Sequence, residues 1–286
     1  MRALVIGWAS FRHGGATSVD VLGMRRVDAA LSLAEVPHDL AWGPSFRAEG
    51  LNYEEVDPAR YSHVVFVSGA ARGRQVREVH RRFAHCHRIA VGVSVTDPGD
   101  DAVTGFDQVL ARDHQGIATP DLSVDASTDE VLVAGLILGP EPTAVRSRVT
   151  RWLTGIDCGR VPLDPGLAST DWARCATPDQ FTSILSHLDV VVTTRLDGLV
   201  LGLRAGVPVL AVDPVDGGGA LTAQADALGW PALVPAEESG QAENLDSWWR
   251  WCSSVQGRAV AALRALPSDN GLLRDMVKVF EAGPVR

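Results

Sequence analysis

An arginine and an aspartate two residues apart, in TTRLDGL (193–199), stand where an apolar run ends and a helical pattern begins. At the end of a strand, Arg195 aims a fixed positive fork of the kind that recognises carboxylate or phosphate. Asp197, in the first helical turn, complements the helix dipole, and Thr194 precedes the pair. Gly198, Gly202 and Gly206 fall four apart, giving that helix one smooth face for close approach to a sheet. A second group lies in FRHGGATSVD (11–20). Gly14 and Gly15 permit close backbone approach, and Thr17, Ser18 and Asp20 can cap the next helix. The same residues also read as a substrate loop in which Asp20 takes a proton from a hydroxyl, and a glycine-rich turn leaves both readings open. A third group is VDPVDGGGALTAQ (212–224). There Asp213 ends a strand, and Gly217, Gly218 and Gly219 precede a helix whose backbone N–H groups can cradle a phosphate. A surface loop calls for the same glycines.

Composition removes several alternatives. The 286 residues carry 26 basic and 35 acidic side chains, a net charge of −9, which disfavours nucleic acid and anionic membranes as general partners. Lys278 is the one lysine, so no P-loop lysine exists and a Schiff-base cofactor has little to attach to. Cys86, Cys158, Cys175 and Cys252 form no CxxC pair and read as reduced thiols of a cytoplasmic protein. His80, His85 and His87, in HRRFAHCH, point to different faces if helical and do not suggest a metal site. No GxSxG motif occurs, no apolar run is long enough to span a membrane, and no motif specifies an oligomeric state.

The elements that must position these groups alternate in type. ALVIGW (3–8), HDLAW (38–42), HVVFVSG (63–69) and RIAVGVSV (88–95) read as strands, with a helix after the first and another over 74–85. Residues 112–130 lose the apolar pattern, which then restarts with VLVAGLIL (131–138), a helix over 144–154, GRVPL (159–163) and a helix over 179–188. Strand DVVVTT, helix DGLVLGLRA, strand VPVLAV and helix LTAQADALGW follow. This order predicts two Rossmann-like parallel-sheet domains, 1–128 and 129–286, facing one another across a cleft. Ligands in such sheets bind beyond the carboxyl ends of the strands, where all three groups lie. The last forty-odd residues read as helical, and Trp248, Trp249 and Trp251 there read as packing residues.

DVVVTTRLDGLVLGLRAGVPVLAVDP resembles the carboxyl-terminal signature of the polysaccharide pyruvyl transferases, which carry Arg-Leu-His-Gly, a small-residue helix, then GVP and a strand. GGATSVD and VLARD (109–113) resemble more loosely the family's amino-terminal turn and a short strand ending in Arg-Asp. The resemblance implies a GT-B-like fold and transfer of a pyruvyl group from phosphoenolpyruvate, as co-substrate, to hydroxyls of a saccharide-like acceptor, with no resident cofactor. It implies Arg195 as the cationic clamp and Asp20 as the base. The family's histidine falls on Asp197. A carboxylate there is a poor proton donor and repels phosphate: two unit charges ~4 Å apart cost ~4 kcal/mol at an effective dielectric of ~20. GGGALTAQ also lacks the lysine that relatives often carry. Three readings follow: a pyruvyl transferase with a rebuilt donor site, in which His13 supplies the missing acid; a transferase of the same fold using a nucleotide sugar; and a non-catalytic ligand- or partner-binding descendant.

Overall fold

Continuous apolar runs make strands that are covered on both faces, and both halves of the chain follow this rule. The computed structural model describes residues 1–44, 46, 50–114, 116–139, 143–265 and 271–281. It contains two compact units, Met1–Asp129 and Glu130–Arg286.

The first unit runs β1 (Ala3–Gly7), α1 (Ser18–Leu33), β2 (His38–Trp42), β3 (Leu51–Asn52), β4 (His63–Val67), α2 (Gly73–Arg82), β5 (His87–Ser94), α3 (Asp101–Thr104), β6 (Gln108–His114) and β7 (Ile117–Ala118). Its sheet has the order β3-β2-β1-β4-β5-β6-β7, parallel except for the β6–β7 pair. Alternation along β1 and β4 serves two cores. Leu4, Ile6, Val64 and Phe66 pack into one, while Val5, Val65 and Val67 pack into the other. Helix α2 ends at Arg82, earlier than the pattern suggests, so His85 lies beyond it and His87 opens β5.

The second unit runs β8 (Val133–Ile137), α4 (Ala144–Thr154), β9 (Gly159–Pro162), α5 (Pro178–Leu185), β10 (Val190–Thr193), α6 (Leu196–Arg204), β11 (Val209–Val212), α7 (Ala220–Leu228) and β12 (Leu233–Val234), then α8 (Ala242–Cys252), α9 (Val255–Arg264) and α10 (Gly271–Glu281). Its five strands are all parallel, in the order β12-β11-β10-β8-β9. Every residue of β10 and β11 is buried, and each such Val or Leu side chain contributes roughly 1.5–3 kcal/mol by leaving water. The carboxyl-terminal tryptophans serve this core: Trp249 meets Trp152 edge to face at 6.0 Å, and Trp251 meets Trp230 at 5.4 Å.

Both sheets are doubly wound, as the alternating pattern predicts. Strand β1 lies between β2 and β4, and β8 lies between β9 and β10. Chain direction across the sheet therefore reverses at β1/β4 and at β8/β10. These two reversals are the topological switch points at which open α/β sheets form ligand crevices. Among the described residues no helix is long and apolar enough to cross a membrane.

Candidate functional site

At the β8/β10 switch point the backbone is clasped by hydroxyls. Thr193 Oγ1 hydrogen-bonds to the Ile137 carbonyl at 2.8 Å and accepts from the Arg195 N–H at 2.9 Å. Thr194 Oγ1 accepts from the Gly139 N–H at 2.9 Å, tying the ends of the two strands together. Both threonines are buried, so these contacts are structural. They fix Arg195 as the residue capping α6, in extended conformation, with its side chain 34% exposed. Its guanidinium is not idle. Nη2 and Nε donate to the same oxygen of Asp197, at 2.6 and 3.1 Å. The fork is thus neutralised by a neighbour, and a bound anion must compete with that carboxylate.

Gly198 follows one residue on and faces the strand, not the crevice. A Cβ there would stand 2.2 Å from Thr193 Oγ1, so glycine is what lets α6 lie against β10. Asp213, at the end of β11, is 1% exposed, and its carboxylate is fully engaged. It accepts from the N–H groups of Val215, Gly219 and Thr222 and from the Thr222 hydroxyl, at 2.6–3.0 Å. Burial alone would raise its pKa. The Thr222 hydroxyl and the three N–H groups outweigh burial and hold it below the ordinary carboxylate value. Asp213 therefore folds the glycine loop, in which Gly217 and Gly218 take left-handed backbone angles of φ 77° and 90°.

At the β1/β4 switch point the amino terminus of α1 carries Asp20. Its Oδ2 accepts from the Thr17 N–H and hydroxyl at 2.7 and 2.8 Å, and Thr17 Oγ1 accepts in return from the Asp20 N–H. This reciprocal capping box confirms the capping role of Thr17. Asp20 is buried, 6% exposed, and its Oδ1 lies 3.1 Å from where a Cβ on Gly69 would stand. The Trp8 indole crowds the same point at 2.3 Å. Ser68, which sequence reasoning missed, follows β4 with a left-handed φ of 59° and a buried hydroxyl lacking a partner. Strain of this kind collects at binding sites, but it depends on tertiary context that SGAARG alone does not display.

The remaining loop residues separate. Gly14 is required by close approach, since a Cβ there would meet the Trp8 carbonyl at 1.8 Å, whereas Gly15 has open space. His13 lines a cavity of about 350 Å³ with Phe11, Arg12, Tyr53, Glu54, Gln75 and Glu78. Thr17 and Ser18 line a different one, of about 430 Å³, beside Arg25 and Phe46. Asp20 lines neither cavity. Among the described residues, no three or more His, Cys, Asp or Glu side chains converge as a metal site.

No protein-family model and no curated protein matches the sequence. Solved glycosyltransferases are similar in structure at low scores. E. coli heptosyltransferase WaaC with ADP is 13% identical, with 92% of this chain and 100% of that one covered at a TM-score of 0.29. The spinosyn forosaminyltransferase SpnP is 11% identical, with 98% and 99% covered at 0.36. The glycosyltransferase SnogD from Streptomyces nogalater is 14% identical, with 93% and 94% covered at 0.29. At such identities and scores these likenesses carry no statement about substrate or chemistry.

Proposed function

We propose that the chain is a transferase that binds an anionic small-molecule donor beside Arg195 and passes a group from it to a hydroxyl acceptor. One observation carries this reading: a partly exposed guanidinium stands at the amino terminus of α6, at the β8/β10 switch point. The resemblance of the RLDG stretch supports the finer reading, in which the donor is phosphoenolpyruvate and the product a pyruvyl ketal. In that reaction the methylene carbon of the enol takes a proton, and an acceptor hydroxyl adds to the adjacent carbon as its own proton passes to a base. A second hydroxyl then adds, giving up its proton, while phosphate leaves. By the same resemblance Arg195 would steady the donor's charge.

A second reading has its own observation in its favour. The ion pair between Arg195 and Asp197 leaves this position with no net charge. A neutralised fork suits a nucleotide sugar better than a compact, highly charged donor, because a carboxylate accepts hydrogen bonds from sugar hydroxyls.

The test supplies the purified chain with phosphoenolpyruvate or with nucleotide sugars, alongside a mixture of saccharide acceptors, and follows release of phosphate or nucleoside diphosphate. Phosphate release that falls about 100-fold in Arg195→Ala supports the finer reading. Nucleoside diphosphate release with the same dependence supports the second. Absence of turnover with every donor overturns both and leaves a binding protein.

A further inference from the structure

Helix α10 covers no core. None of its residues is buried, and none joins a core cluster of either unit. Yet its sequence, GLLRDMVKVFE, has the pattern of a helix with a buried face. Leu272, Leu273, Met276, Val277, Val279 and Phe280 are all exposed, from 48% at Val277 to 79% at Phe280. At about 100° per residue these six share an arc of about 160°, and Arg274, Asp275, Lys278 and Glu281 take the rest of the circle. Contiguous exposed apolar surface of this extent marks an interaction site.

Charge and shape say what covers it. The polar side carries two acids and two bases, with Lys278 donating to Asp275 at 2.9 Å, so it has no net charge. A helix lying in a membrane surface backs its apolar face with a lysine- and arginine-rich one, and a chain of net charge −9 is repelled by anionic lipid. The stripe is instead complementary to itself. A two-fold axis beside Met276 sets two copies of α10 antiparallel, with Leu272 against Phe280, Leu273 against Val279 and Met276 against its counterpart. Arg274 and Lys278 lie on the far side of both helices, so neither basic residue enters that contact. The six side chains, at these exposures, offer an area on the order of the ~800 Å² per partner that a standard protein interface buries.

We infer that α10 is a self-association helix, through whose apolar stripe a second copy of this chain docks. This inference is independent of the transferase reading. The test measures the mass of the full chain by light scattering over a concentration series, and separately floats it with phosphatidylcholine vesicles. Wild type is a dimer and does not float. Leu273→Asp and Phe280→Asp together weaken association at least about 100-fold, whereas Lys278→Ala, on the far side, leaves it unchanged. The double variant keeps the near-ultraviolet circular dichroism of the core tryptophans, since no buried side chain is touched. A wild-type chain that stays monomeric to about 100 μM overturns the inference. So does a dimer that survives both aspartates, a dimer lost in Lys278→Ala, or a double variant without the tryptophan signal. Flotation of monomeric wild type, abolished by the same two aspartates, would assign the stripe to a lipid surface and overturn it as well.

Discussion

Arg195 and Asp213 both end strands in sequence, yet the structure gives them opposite tasks. Arg195 keeps a third of its side chain exposed, whereas Asp213 spends its carboxylate on Val215, Gly219 and Thr222. Replacing Asp213 by Asn removes charge-assisted acceptance, and the fold should lose roughly 2–3 kcal/mol, measured by urea denaturation. The effect has a defined pH dependence. The folded pKa lies below the ordinary aspartate value, so the stabilisation is complete above that ordinary value and fades as pH falls through the lower folded pKa. The variant's stability should therefore differ from that of wild type most at neutral pH and least in strong acid. Sequence alone left Asp213 open between ligand contact and loop residue, because both tasks place aspartate before glycines. The position of Arg195 at the strand's end was legible because the apolar run DVVVTT stops just before it.

At the scale of elements, the close approach of α6 to the sheet sets where Arg195 stands. Gly198 faces Thr193, and Gly202 lies where a Cβ would meet Val209 Cγ2 at 2.6 Å. Gly198→Ala should cost about 1–3 kcal/mol, because the methyl must displace either the helix or the Thr193 hydroxyl that holds the Arg195 N–H. A melting curve checks the stability loss; a variant as stable as wild type would show that the helix has room to move. The four-residue glycine spacing was readable because it repeats with the helix. So were the longer strands, whose continuous apolar runs admit no exposed face. Strands β3, β7 and β12 span two residues each, too few to carry a period, and α3 is a single turn held by its Asp100 cap.

At the scale of the molecule, each unit buries a cysteine in its largest core. Cys86 is buried in the first and Cys252 in the second, and burial raises the pKa of both thiols. Cys175 is partly exposed. In native protein a thiol reagent should modify Cys175 first. Cys86 and Cys252 should react only as denaturant opens the unit that contains each, followed by mass spectrometry of labelled peptides. Rapid native labelling of Cys252 would contradict the packing described. The central proposal concerns affinity for an anion: that Arg195 recognises it, and that Asp197 weakens that recognition. Calorimetric titration with phosphoenolpyruvate tests this most directly. Asp197→Asn should bind at least about fivefold more tightly than wild type, since removing one like charge in solvent is worth about 1 kcal/mol, and Arg195→Ala should not bind measurably. Equal affinity in all three chains, or no binding even in Asp197→Asn, would contradict the account.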